Sequence, residues 1–589
     1  MQTKLLLCVV AFCLTGCVTI SKRSQIDPII EMQKGNYALA EQAIATNYPA
    51  DSNNKLLRHL ELGTINHLNG QFDKSNQHFN QAESISESFY TTSISDEAAE
   101  LFTGSSYKGF VFENTFVNYF KALNYLKQGQ LNGKLSQAEL DTALIEVRRL
   151  STKLSELTQN SGGYVLKNAK KEDDGSLNNK FSNFFNEVLS STVGENIEYK
   201  DDAFAHYISA LLYEMNNELD SARIEYQKAA QAYENGFSKQ YSLTDQATKQ
   251  VWFDTLQLMQ KAGGYENEWP KLAKKKLNKT QQKRLRTNDH HSELVIIQHS
   301  GIAPKRNTLN MILTADLSTH SFNITPFPKG HHQDRQDQLN WFNMLYADKS
   351  PFDYVQNYLT GNIIHALKGN LRKTLPLGPL WDTAIESGLI KAIGHGIRVA
   401  VPYYPQLKSP FGKTELIIDG QVASTFITLE SIEKIAVQEQ LRNANSQIQS
   451  AIVSALIKAL AAQKALKATG LNKGFLGELA KATTKVMNAA TSGADTRNWL
   501  TLPANINVAR TQLAPGQHEI IIKTHLTDGQ IIEQKETVNI IDKQIAFMQI
   551  HTFSKMSSLN KMNTNIEPKK TNTQGVINVT RERILQNND

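Results

Sequence analysis

The sequence predicts a multidomain chain, α first and α+β after it: paired helical repeats, then a mixed α+β region ending in a small antiparallel sheet or sandwich. Three observations carry this. Helical periodicity dominates from about residue 28 to 264, strand-like runs begin near 292, and apolar and polar residues alternate between turn signals over 494–553. At 589 residues the chain is long enough for two to four domains. Its 63 basic and 57 acidic residues are mostly interspersed, and a net charge of +6 gives no nucleic-acid footprint.

The chain opens MQTKLLLCVVAFCLTGC, with Lys4 before an apolar run from Leu5 to Leu14 and small residues before Cys17. That is the pattern of a secretory signal, too short to span a bilayer stably. Leu14-Thr15-Gly16-Cys17 resembles the lipobox of bacterial lipoproteins. The resemblance implies a signal peptide over 1–16, acylation of Cys17, and an anchor and tether over 17–27. All three cysteines, Cys8, Cys13 and Cys17, lie in this stretch. A mature chain starting at Cys17 would therefore have no disulfide, thiol catalysis or cysteine metal site. No later run of about 18 apolar residues reads as a membrane span.

Residues 28–264 read as a helical-repeat domain. In LGTINHLNGQFDKSNQHFNQAES, Leu62, Gly63, Gly70, Phe72, Ser75, Phe79 and Ala82 fall at tetratricopeptide positions. Ala210, Tyr213, Leu219, Ala222, Tyr226 and Ala229 occupy the same slots further on. A third segment keeps Ala122, Tyr125, Gly129, Ala143 and Val147 with a longer turn, and KGNYALAEQAI adds a half-repeat. Small residues let paired helices approach and aromatics fill the space between pairs. Inserts such as KKEDDGSLNNK make the array irregular. Residues 265–291 read as a basic linker, with eight Lys or Arg and no acid over 271–286.

Residues 292–428 form a mixed strand-rich region, with strands expected at SELVIIQ, NMILTADL and IRVAVPYY and a hairpin turning at Asp419-Gly420. The stretch from 320 to 395 gives no clear pattern. Residues 429–493 read as a long apolar helix and a helical segment; AIVSALIKALAAQKAL is apolar nearly all round, the mark of a buried helix. Over 494–553, Ile506, Val508, Ile520, Ile522, Ile531, Val538 and Ile540 alternate with polar residues between turns at Pro515-Gly516 and Asp528-Gly529, predicting an antiparallel sheet. Residues 554–589 read as a disordered polar tail.

Together LTGC, NYFKALNYL (118–126), ALIEVRR (143–149), ELVIIQHSGIAP (293–304), AVPYY (400–404) and above all ADTRNWLTLPANINVAR (494–510) resemble a family of uncharacterised bacterial lipoproteins with a tetratricopeptide N-terminal half. The resemblance spans most of the mature chain, with a longer turn before ALIEVRR and a polar tail as departures. It implies a location and a fold outline and brings no established activity. Val18, rather than Asp, implies an outer-membrane anchor facing the periplasm, with inner-membrane retention or surface exposure left open.

Chemical motifs are sparse. Gly412-Lys413-Thr414 ends like a phosphate loop, but Leu407 stands where its first glycine belongs, so it reads as a turn. His331-His332 with Asp334, and His290-His291, are adjacent pairs without helical i,i+4 spacing and read as surface loop, with no metal expected. In ADTRNW, Arg497 and Trp499 could form a recognition patch; the commoner role at such a junction is Arg497 paired to a carboxylate and Trp499 in the core. The expectation is a non-catalytic envelope lipoprotein without cofactor, a scaffold or assembly accessory. It would bind envelope proteins through a repeat groove lined by Asn66, Asn118 and Tyr207 on the first helices of pairs. The alternatives are a cell-wall-associated or enzymatic factor with its site in the α+β half, and a lipid or glycan carrier using the helix at 451–466.

Overall fold

The computed structural model describes residues 26–90, 106–130, 136–159, 180, 183, 200–286, 292–346, 351–360, 372–468 and 493–554. Cys17 and the signal peptide, most of the 170–180 insert, His290-His291 and all but the first residue of the tail lie outside the described residues. The chain divides into two compact units, Met1–Lys108 and Gly109–Asp589.

The first unit holds α1 (Pro28–Gln33), α2 (Tyr37–Asn47), α3 (Lys55–Leu68) and α4 (Phe72–Tyr90). Asp27 caps α1 by accepting the Ile29 amide at 2.9 Å, with Pro28 at the first helical position. Gly70, at φ +74°, closes the turn between α3 and α4. The two helices approach so closely at Gly63 that a Cβ there would lie 2.5 Å from the Phe79 ring. Ser75 Oγ donates to the Gly63 carbonyl at 2.7 Å across the same contact.

The second unit begins with α5 (Val111–Gln130), α6 (Gln137–Gln159), α7 (Ala203–Met215), α8 (Leu219–Ala232) and α9 (Asp245–Ala262), then the short α10 (Trp269–Lys276) and α11 (Lys279–Arg286). Strands follow: β1 (Glu293–Ser300), β2 (Asn307–Asp316), β3 (Ser321–Pro326), β4 (Lys373–Pro376), β5 (Ile397–Tyr403), β6 (Phe411–Ile418), β7 (Gln421–Thr425) and β8 (Ile427–Ser431). Helix α16 (Ile432–Ala468) leads to β9 (Asn505–Gln512), β10 (Gly516–Leu526), β11 (Ile531–Ile540) and β12 (Ile545–Thr552). The stretch without a clear sequence pattern contains β3, α12 (His332–Tyr346), α13 (Pro351–Leu359), β4, α14 (Leu380–Glu386) and α15 (Leu389–Ile393).

Among the described residues these strands form three four-stranded sheets, in the orders β12-β1-β9-β8, β11-β10-β6-β7 and β4-β3-β2-β5. The strands of 494–553 do not form a sheet of their own, because β9 and β12 flank β1 while β10 and β11 join β6. Nor are the sheets purely antiparallel: β12 runs parallel to β1, pairing Glu293 with Ile545 through Ser300 with Thr552. The Asp419-Gly420 hairpin forms with φ of +49° and +80°, the left-handed pair that a tight two-residue turn needs. Gly412-Lys413-Thr414 lies on strand β6 rather than in the expected turn, and the Lys413 ammonium pairs with Glu415 at 2.7 Å. Helix α16 packs on β5 and buries Ile448, Ile452, Leu456 and Ala459, as a helix apolar nearly all round must. Among the described residues no helix is long and apolar enough to cross a membrane.

Gly63→Ala is expected to destabilise the protein by about 1–3 kcal/mol, the usual size of an overpacking defect. Chemical denaturation checks this, and trimming the facing ring in Gly63→Ala/Phe79→Leu should recover part of the loss.

Candidate functional site

All eight residues of β1 are buried, so both of its faces must be covered. Because strand side chains alternate, Leu294 and Ile296 point one way and join Leu416, Ile418, Ala509, Ile520, Ile522, Ile540 and Ile550 in the core between the first two sheets. The register places Glu293, Val295, Ile297 and His299 on the opposite face, beside Arg510, Val508 and Ile506 of β9 and Phe547, Gln549 and His551 of β12. That face meets the helices, and it carries the charges.

Arg510 is its centre. The guanidinium is buried and uses all three nitrogens: Nε donates to Glu293 Oε2 at 2.9 Å, Nη1 to Tyr226 Oη at 2.9 Å, and Nη2 to both Glu214 oxygens at 3.0 Å, with a further contact to Glu293. Tyr226 in turn donates its hydroxyl hydrogen bond to Glu214 Oε2 at 3.0 Å, Gln257 donates to Glu293, and Lys261 reaches Glu214 at 3.3 Å. Burial opposes the charge on Glu214, but Arg510 and Lys261 hold its carboxyl below the usual carboxylate range. Burial likewise opposes the Arg510 charge, and Glu214 and Glu293 outweigh it. Nearby Asp254, accepting from Tyr207 and Gln250, is pushed up to about 6 by burial. One guanidinium thus ties α7, α8, β1 and β9 together.

A second polar line crosses the same face. The Gln549 amide nitrogen lies 3.1 Å from His299 Nδ1 and 2.7 Å from His551 Nε2. An amide NH₂ only donates, so both ring nitrogens accept, and the neutral His299 carries its proton on Nε2, 2.8 Å from Tyr119 Oη. Tyr119 borders a cavity of about 10 Å³ lined also by Thr115, Phe116, Asp202, Phe204 and Ala205, room for one water and not for a substrate. Asp202 caps α7, accepting the Ala205 amide at 2.8 Å, and burial raises its carboxyl to about 6. Glu430 on β8 is buried, and neither of its oxygens has a hydrogen-bond partner among the described residues. Burial, then the charge of Asp202, pushes its carboxyl well above the usual range. His206, by contrast, reaches about 9: burial lowers it, but hydrogen bonds to Asp201 and Glu225 more than compensate.

The residues expected to line a groove are core residues instead. Asn66 (1 % exposed) donates to the Leu62 carbonyl on its own helix. Asn118 (0 %) donates to Glu146 at 2.7 Å and accepts from Lys153 at 2.6 Å, beside the buried Lys121–Glu146 pair. Tyr207 (0 %) donates to Asp254 at 3.0 Å. Asn66 bonds within its own helix, Asn118 to α6 of its own pair and Tyr207 to α9, so each finds its partner inside. Arg497 pairs with its own Asp495 at 2.7 Å, while Trp499 is fully buried, its amide donating to Glu113 and its indole to Thr501. His331 and His332 are exposed at the start of α12, where Asp334 accepts the His331 amide. Among the described residues no three His, Cys, Asp or Glu gather as a metal site.

Sequence reasoning singled out Arg497 and passed over Arg510, although a signal existed. Arg510 continues the inward phase of Ile506 and Val508, and a charge in an apolar phase implies buried partners. No family model, curated protein or solved structure matches the chain.

Arg510→Met is expected to cost about 3–5 kcal/mol, because it strands two buried carboxylates. Unfolding midpoints check this, with partial recovery expected in Arg510→Met/Glu214→Leu/Glu293→Leu. Glu430 holds a proton more tightly folded than unfolded, so its contribution is most favourable below about pH 4.5 and is lost as pH rises toward its raised value. Glu430→Gln should therefore stabilise the protein increasingly as pH rises above about 4.5, read as the difference in melting temperature from parent at a series of rising pH values.

Proposed function

We propose that the protein is a lipid-anchored envelope lipoprotein that acts without catalysis as a scaffold for protein partners, on the periplasmic face of the outer membrane. Its helical pairs are tetratricopeptide-like in this reading. The observation that carries it is the contact chemistry: Gly63, Ser75 and Phe79 meet where α3 crosses α4, and Ala210, Ala222, Tyr226 and Ala229 are buried at equivalent slots in α7 and α8. Repeats of this kind present extended surfaces to other proteins. The partner-facing positions move with the structure. Ile145 (46 % exposed) on α6 and Ile224 (45 %) on α8 are large apolar side chains that solvent reaches, whereas Asn118 and Tyr207 are not reachable. The anchor rests on LTGC alone, and two or three acyl chains at about 0.8 kcal/mol per buried CH₂ would make it effectively permanent.

Photo-cross-linking side chains placed at 145 or 224 in living cells are expected to capture one reproducible envelope protein, and the same probe at an exposed site elsewhere, such as 317, is not. Equal or empty capture at all three positions sinks the scaffold reading. Separately, Cys17→Ser should abolish palmitate labelling and release the chain from the membrane fraction; retention of label would remove the lipoprotein reading.

A further inference from the structure

The first unit carries a pair of histidines that neither the fold nor the proposed function uses. His59 on α3 and His78 on α4 face one another across the helical hairpin, with ring centroids 5.3 Å apart and their Nδ1 atoms 3.0 Å apart. We propose that His59 and His78 form a two-imidazole site for a borderline divalent transition-metal ion, Cu²⁺, Ni²⁺ or Zn²⁺.

The bite distance argues for it. Metal–imidazole bonds run about 2.0–2.1 Å, so two of them span about 2.9 Å at a right angle and about 3.3 Å at the tetrahedral angle. The observed 3.0 Å falls within that window, and rotation of the rings turns their Nδ1 lone pairs from one another toward a shared ion. In the metal-free pair one Nδ1–H donates to the other Nδ1. Coordination replaces that hydrogen bond once the donor ring moves its proton to Nε2, a tautomer change with no net proton gained or lost.

The surroundings favour the ligating form. Both rings are partly exposed, so an ion can enter from solvent, and both are kept neutral. Burial, then His78 and Arg58, lowers His59 to about 4; burial, then Arg58 and Lys74, lowers His78. The Arg58 guanidinium is turned away into a helix end, donating to the Ala45 and Tyr48 carbonyls at 2.9 and 2.8 Å. Among the described residues no third His, Cys, Asp or Glu completes a closed site, so water or an outside ligand would fill the remaining positions. Two imidazoles without a carboxylate select the nitrogen-preferring ions late in the divalent series over Mg²⁺ and Ca²⁺.

The test is a Ni²⁺ and a Cu²⁺ titration of the purified full chain, beside His59→Gln and His78→Gln. Each variant is expected to weaken one site by about tenfold or more, since even an outer-shell partner is worth 10–100-fold. The Cu²⁺ paramagnetic spectrum should show two nitrogen donors in the parent and fewer in each variant. Unchanged binding in both variants overturns the proposal, because the chain's other histidines would then account for all uptake. If a variant does not fold, the parent still decides: Ni²⁺ should protect His59 and His78 together from carbethoxylation, mapped by mass spectrometry. Modification of both at undiminished rates overturns the site.

Discussion

The buried Arg510 guanidinium is the constraint from which the larger unit follows. Arginine does not lose its proton in a protein, so a buried guanidinium must have acceptors placed around it. Glu293 comes from the neighbouring strand, but Glu214 and Tyr226 come from helices nearly three hundred residues earlier in the chain. Satisfying one side chain therefore fixes α7 and α8 against β1 and β9. The alternation of β1 then settles the rest: Leu294 and Ile296 require an apolar cover on the other side, which the β6–β10–β11 sheet supplies. Helix α5 closes the arrangement at its edge, with Lys127 and Gln130 donating to the β12 carbonyls of Gln549 and Phe547.

Seen from this centre, the run ADTRNWLTLPANINVAR is an architectural segment. Trp499 binds Glu113 of α5, Asn498 donates to the Pro304 carbonyl, and Arg306 donates back to the Arg497 carbonyl. The backbone then stitches outward: Ala303 donates to Leu502, Ala504 to Ser300, and Glu433 at the start of α16 to Ala504. The run ends at Arg510. Its density of donors, acceptors and aromatic surface resembles a recognition patch when read as text. In space, nearly all of it is spent on joining four elements that local pairing could not join.

How much of this was legible depends on range. Local devices could be read: the Asp419-Gly420 turn, the Gly63–Phe79 slots, and a helix apolar nearly all round that had to be buried. Strand β8 was hidden because Ile427–Ser431 runs into α16 without a turn residue between them. The parallel β1–β12 pairing was hidden because nothing local to Ile545–Thr552 specifies a partner 250 residues away. Asn66, Asn118 and Tyr207 were misplaced for a related reason. Helical periodicity says which residues share a face, not which neighbour that face meets, and Tyr207 found Asp254 on α9 rather than solvent. Glu430 was invisible as well, since a carboxylate on a short strand ordinarily faces water.

The density of buried polar groups in the larger unit bears on specificity more than on stability. Buried ion pairs are about as stable as apolar replacements of the same volume, so the Arg510 network does not by itself account for a deeper free-energy minimum. What an apolar interface lacks is a preferred register. The faces of α7 and α8 are rich in small residues, with Ala210, Ala222, Ala229 and Ala230 all buried. Directional bonds add a register to that packing: a guanidinium with four acceptors satisfied at 2.9–3.0 Å loses those on any helix that slides by a turn. The Tyr119–His299–Gln549 line adds a second fixed point on the same face and holds a different helix, α5, to the sheet. On this argument the polar face sets one arrangement of α5, α7 and α8 on the sheet.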